Sequence, residues 1–140
     1  MKAIIVCLLL FLIIGPRTSA ADVCVYTRQK VSAIYGRVIS VGKSPDDPIP
    51  QAQIKLLEYR NDEWVGKAEV ITSDDGRFSF RSISPGRYHL RASAPFLRTI
   101  EFEVKVGKSS SSKKIDREII IGLEPFGCGD LFIRKIGTDK

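Results

Sequence analysis

The sequence predicts an all-β domain, an antiparallel β-sandwich of about seven strands. Three observations carry that prediction. Beyond Ala21, apolar and polar residues alternate in short runs, the period of a strand with one buried face. No window holds helical apolar spacing long enough for a helix. Turn residues recur at roughly the 8–12-residue interval of a sandwich or barrel. Antiparallel strands of this kind bury their apolar faces by packing as two sheets.

The first 21 residues stand outside that pattern and read as a secretory signal peptide. Lys2 is the positive start, Ile4 to Ile14 an unbroken apolar run, and Gly15-Pro16 its break. Small residues follow at Thr18-Ser19-Ala20-Ala21, which leaves cleavage open after Ala20 or Ala21. The run of 11 residues is too short for a bilayer core that needs about 20. The expectation is therefore a secreted, periplasmic or otherwise extracytoplasmic protein with no stable membrane insertion. Taking 21 residues from 140 leaves 119, enough for one modest core.

Charge narrows the partners. Of 22 Lys and Arg, Lys2 and Arg17 leave with the leader, so 20 face 16 acidic residues and the net charge is +4. The basic residues are scattered rather than gathered into a stripe or interleaved with aromatics, so no nucleic-acid partner is expected. Cys7 also leaves, and Cys24 with Cys128 remain. An even pair in an exported chain points to a disulfide. A lipid-modified Cys24 would want small residues ahead of it, where Ala21-Asp22-Val23 stands. A metal site with His89 would have three ligands without paired spacing.

The elements follow in order. Val23 to Tyr26 is a short extended piece, within an N-terminal extension over 22–32. Ala33 to Val41 is the first clear strand, with Ile34, Gly36 and Val38 on one face and Tyr35, Arg37 and Ile39 on the other. Gly36 inside it marks a bulge or a close backbone approach. Gly42 to Pro50, with three prolines, is a loop. Ala52–Tyr59 and Trp64–Thr72 form a hairpin. Setting Leu56 opposite Ala68 and Ile54 opposite Val70 puts both apolar sets on one face. That register implies a three-residue loop, Asn61-Asp62-Glu63, and sets Arg60 opposite Trp64 for a cation–π contact worth about 0.5–1 kcal/mol. Arg77 to Arg81 alternates, with Phe78 and Phe80 inward. After Pro85-Gly86, Tyr88, Leu90 and Ala92 alternate with Arg87, His89 and Arg91. Phe102, Val104 and Val106 alternate with Glu101, Glu103 and Lys105. A polar turn from Gly107 to Ser112 leads to a last apolar strand, Arg117–Leu123. In the tail, 124–140, Leu131-Phe132-Ile133 is apolar enough to dock on or pair with the Cys24 segment, and Gly137–Lys140 is expected to fray.

These residues resemble a known family. Gly36-Arg-Val38, Pro48-Ile-Pro50-Gln-Ala52-Gln-Ile54-Lys-Leu56, Thr72-Ser-Asp74-Asp-Gly76-Arg-Phe78-Ser-Phe80 and Ile83-Ser-Pro85-Gly86-Arg-Tyr88-His-Leu90 together resemble the carboxypeptidase regulatory-like domain. The likeness runs from about Ala33 to Val106. It implies a transthyretin-like Greek-key sandwich, placed here at 33–123, with a tail tied back by the disulfide. It also implies a non-catalytic companion domain of secreted and cell-surface proteins, related to sandwiches that bind carbohydrate or protein. Two departures stand out. Ala94-Pro95-Phe96-Leu97 replaces a glycine and aromatic common in the family, and the flanking cysteines are extra.

Catalytic chemistry finds little support. His89 is the single histidine, set on an outward face and read as a solvated surface residue. No serine has the context of an activated nucleophile. The histidine and arginine set and the C-terminal Tyr-Arg-Gly-Ser of hydroxyisourate hydrolases are missing, since the chain ends Ile136-Gly-Thr-Asp-Lys140. Asp46-Asp47 and Asp74-Asp75 are explained by turn capping, because neither pair has the alternating ligand spacing of a calcium loop. The only asparagine, Asn61, precedes Asp-Glu and offers neither a glycosylation site nor a strand position for a Lys–Asn crosslink. No enzyme activity, metal or cofactor is expected. What remains is binding of an unknown protein or glycan. Tyr59, Trp64 and Tyr35 are candidates for an outward aromatic surface that stacks a sugar or anchors a partner. Ordinary cross-strand pairing of those rings is the competing account. The Ser109–Lys114 run with Lys105 and Lys108 is a second candidate patch.

Overall fold

The computed structural model describes residues 23–41, 47–108 and 117–136. The expected signal peptide over 1–21, the 42–46 part of the proline loop, the Ser109–Lys114 patch and the Gly137–Lys140 end lie outside the described residues. Ten strands form among the described residues: β1 (Cys24–Val31), β2 (Ile34–Ser40), β3 (Asp47–Pro48), β4 (Gln53–Arg60), β5 (Glu63–Ile71), β6 (Arg77–Phe80), β7 (Gly86–Ser93), β8 (Ile100–Val106), β9 (Arg117–Leu123) and β10 (Asp130–Lys135). They make two five-stranded sheets. The first has the order β1-β8-β7-β4-β5; the second has β10-β9-β2-β3, with β6 also paired to β2.

Period-two alternation decides what each strand buries. The first sheet sends Ile54, Leu56, Tyr88, Leu90, Ala92, Ile100, Phe102 and Val104 inward. The second answers with Ile34, Val38, Phe78, Phe80, Ile119, Ile121 and Leu123, and the two sets form one core. Gly36 pairs with Ile119 of β9, and a Cβ there would lie 1.9 Å from the Ile119 carbonyl oxygen. The close approach expected from its place in a strand is real.

The structure adds to the predicted outline. Ten strands replace about seven, because β1, β3 and β10 carry too little alternation to announce themselves. The sheets are also not wholly antiparallel: β1 runs parallel to β8, and β2 runs parallel to β9. Alternation reports which side chains face inward and carries no information about the direction of a partner distant in sequence.

The β4–β5 hairpin corrects its predicted loop. Leu56 does pair with Ala68 and Ile54 with Val70, but the register shifts between Leu56 and Leu57, and the tip pairs Arg60 with Glu63 and Tyr59 with Trp64. The loop is the two residues Asn61 and Asp62, both left-handed (φ 49° and 65°), as in a type I′ turn. Lys67 is the extra residue of a bulge. That bulge changes the parity of the pairing, so a two-residue turn and an in-phase apolar face coexist. Arg60 consequently leaves Trp64 and pairs with Glu58 at 2.5 Å. The tail is corrected as well. Leu131-Phe132-Ile133 lies in β10, which pairs with β9 rather than with the Cys24 segment.

Cys24 and Cys128 are bonded, with sulfurs 2.08 Å apart. The bond fastens the start of β1 to the β9–β10 turn. The Tyr26 hydroxyl reinforces it by donating to the carbonyls of Cys128 and, at 2.8 Å, of Gly129. Burial, and then the negative charges of Asp130 and Glu124, push the Tyr26 phenol above its ordinary range.

Candidate functional site

The outer face of the first sheet is built from side chains that alternate with the core. β4 contributes Leu57 and Tyr59, β5 Trp64, β7 Arg87, His89 and Arg91, and β8 Glu101 and Glu103. Tyr59 and Trp64 are direct cross-strand partners, with ring centroids 5.0 Å apart and planes tilted by 58°. Trp64 then reaches over β4 to β7 and stacks on His89, with centroids 4.3 Å apart and planes 14° from parallel. The Arg87 guanidinium lies over the Tyr59 ring at 5.1 Å. The cation–π contact of this face is therefore made by Arg87 and Tyr59.

Beneath the rings runs an ionic lattice. His89 Nδ1 is 2.7 Å from Glu101 Oε1, and Arg91 donates to the other Glu101 oxygen at 2.9 and 3.0 Å. Arg87 grips Glu103 with two hydrogen bonds of 3.0 and 3.1 Å, and Arg28 of β1 pairs with the same carboxylate at 2.5 Å. The Arg87 hydrogen bond, and then Arg28, hold the Glu103 carboxyl below the usual range, against some desolvation. Glu103 in turn raises the Arg87 guanidinium, chiefly through that hydrogen bond.

His89 is thus not the solvated residue expected of an outward strand position. Its side chain is 18% exposed, held between an indole and a carboxylate. Alternation places it outward correctly but cannot see that Trp64, two strands away, folds over it. Of the three aromatics singled out in the sequence, the structure brings Tyr59 and Trp64 together. Tyr35 is elsewhere: β2 belongs to the second sheet, where Tyr35 lines a cleft of ≈ 310 Å³ with Arg77 and Glu118. Sequence reasoning weighed His89 only as a metal or catalytic residue and did not single out Arg87, Arg91, Glu101 or Glu103. The signal was present, since the outward residues of β7 are all basic and those opposite on β8 begin with two glutamates.

Asp74 and Asp75 lie in the turn before β6. Asp75 accepts from the Ser73 hydroxyl at 2.5 Å and pairs with Arg77 at 2.7 Å. The Ser73 hydrogen bond first, and then Arg77, keep its carboxyl below the usual range. Gly76 completes the turn with φ +73°. Among the described residues, no three His, Cys, Asp or Glu side chains are grouped to hold a metal ion.

A family model for the carboxypeptidase regulatory-like domain matches residues 33–116. The chain belongs to that family. Among solved structures, this regulatory-like domain is similar to sea bream transthyretin in complex with thyroxine. That match has a TM-score of 0.55 and 14% identity, covering 77% of this chain and 99% of that one. It is similar also to transthyretin from Sparus aurata, with TM-score 0.53, 14% identity and coverage of 74% and 99%. At that identity the likeness shows the fold, an all-β two-sheet sandwich of transthyretin type. No curated protein matches the chain. The matched span holds β2 to β8, including every residue of the Trp64 face except Arg28. β1, β9, β10 and the disulfide lie outside it, although β9 supplies Ile119, Ile121 and Leu123 to the core.

Proposed function

We propose that this regulatory-like domain is an exported, non-catalytic module that binds a protein or cell-envelope component through the outer face of its first sheet. The observation that carries the reading is the stack of Trp64 on His89 with Tyr59 beside it. The rings are fixed by the Arg87–Glu103 and His89–Glu101 contacts before any partner arrives, so binding orders few side chains. Tyr59 is 40% exposed, with Arg87 above it. Aromatic and arginine side chains clustered in this way are the usual anchors of protein interfaces. Export is supported by the leader pattern of residues 1–21 and by the bond between Cys24 and Cys128. Family membership supports a non-catalytic role.

A glycan partner is the second reading, favoured by the exposed Tyr59 beside the indole. It is the weaker one, because His89 already takes one face of Trp64. The 58° tilt of Tyr59 also keeps the two rings from forming one flat platform. The test is a capture experiment from the native host with wild-type protein and Trp64→Ala, in parallel with a glycan array. A protein partner lost on Trp64→Ala with the melting temperature unchanged supports the first reading, and array binding lost on the same substitution supports the second. Retention of all binding in Trp64→Ala and Tyr59→Ala would remove this face from consideration. For export, the secreted product should begin at Ala21 or Asp22 by mass, and an intact leader would overturn it.

A further inference from the structure

The end of the sandwich that carries the disulfide also carries the two most exposed large apolar side chains among the described residues. Phe96 is 97% exposed and Phe126 is 91% exposed. Phe96 stands on the turn between β7 and β8, Phe126 on the turn between β9 and β10, and each follows a proline. The turns are neighbours, since the Arg98 amide donates to the Glu124 carbonyl at 3.0 Å. Val23, 39% exposed, enters β1 beside them, where the Cys24 amide donates to Thr99 at 3.1 Å. Phe96 is also strained. It takes φ 64°, in a region that bulky L side chains rarely adopt, within a turn closed by Leu97 donating to Ala94 at 3.2 Å. A glycine would hold that turn without strain, and the ring gains no packing in return.

We propose that this end is a lipid-binding tip whose Phe96 and Phe126 rings enter the interfacial layer of a bilayer. Three features favour a lipid surface over a protein. Two aromatic rings offer roughly 300–500 Å² of apolar area, short of the roughly 800 Å² per partner of a stable protein interface. A bilayer demands no matching shape. Part of the tip backbone also needs no water: Pro95 and Pro125 lack amide hydrogens, the Leu97 and Arg98 amides are bonded within the protein, and Gly129 donates to the Glu124 side chain at 2.7 Å. Each donor satisfied in this way lowers the cost of bringing the tip against an apolar phase. Finally, the exported chain is net basic, +4 once Lys2 and Arg17 leave with the leader, which draws it to anionic leaflets. The tip lies at the opposite end of the sheet from Trp64, so this inference stands apart from the proposed partner face.

The test is flotation of the protein, expressed from the full chain, with vesicles of phosphatidylcholine and phosphatidylserine at 7:3. Phe96→Gly and Phe126→Ser should each lower partitioning by roughly tenfold, from the apolar area each ring withdraws from water, and the double variant should lower it by roughly a hundredfold. Phe96→Gly should melt no lower than wild type, because it relieves strain. A second measurement reads the depth: brominated lipid should quench the added indole of Phe126→Trp and leave Trp64 of the wild type unquenched. Wild type that fails to float overturns the proposal, as does a double variant that floats equally well. A protein bound through these rings in place of vesicles overturns it too.

Discussion

Replacing Cys24 and Cys128 by serine removes the covalent link between β1 and the β9–β10 turn, and the structure says how much that should cost. The two cysteines are 104 residues apart, so the bond closes a loop of about 100 residues, worth roughly 4.7 kcal/mol of unfolded-state entropy. For a domain near this size, melting entropy of about 2.1 cal/mol/K per residue converts that loss to a fall of roughly 20 °C in Tm. Small domains hold only about 5–15 kcal/mol in total, so the variant should fold but be marginal. The loss should be local first. Most of β1 faces solvent, and apart from the bond it is held by its ladder to β8, the buried Cys24, the Tyr26 hydroxyl and the Arg28–Glu103 pair. Urea melts of wild type and the double serine variant would measure the loss, and hydrogen exchange would locate it, with β1 amides losing protection before those of β4 and β7. A change below about 1 kcal/mol, with β1 still protected, would refute the account of β1 as a strand held on by its disulfide.

Three further outcomes are expected. Glu103 has its pKa lowered by Arg87 and Arg28, so its contribution is full above its unfolded value of about 4.3 and is lost as pH falls through the lower folded value. Urea melts from pH 7 down to pH 2.5 should show a shallower acid limb for Glu103→Gln, and equal slopes would contradict this. Tyr26 has its pKa raised, so its contribution is full below about pH 10 and is lost as pH rises through the higher folded value. Tyr26→Phe should cost about 1 kcal/mol at pH 7 for the lost hydrogen bonds and should flatten the alkaline limb, read by the same melts. Gly36→Ala should cost about 3 kcal/mol or fail to fold, because the new Cβ meets the Ile119 carbonyl at 1.9 Å. A chemical melt within 1 kcal/mol of wild type would show that β2 and β9 can part without penalty.

Short-range pattern and long-range assembly divide this protein cleanly. The alternating runs around Ile54, Phe78, Tyr88 and Phe102 determine by themselves which side chains fill the core, because inward and outward positions in a strand follow from the chain's own period. Turn residues such as Asp75-Gly76 and Pro85-Gly86 mark where strands end for the same local reason, and Gly36 could be read from its place in a strand as either a bulge or a close backbone approach. The linear pattern also carried the family resemblance, whose motifs are those same turns and core positions. Tertiary structure decided the rest. It put β2 beside β9 and β1 beside β8 in parallel, sent Tyr35 to the opposite sheet from Trp64, and placed a bulge at Lys67 that turned Tyr59, rather than Arg60, toward the indole. It also folded Trp64 over His89 and brought Pro95-Phe96 next to Pro125-Phe126. Apart from the bulge, which lies within one hairpin, each of these depends on pairing between segments distant in sequence, where competing registers differ by small energies and no local signal selects among them. The candidate surfaces of the molecule are of that second kind.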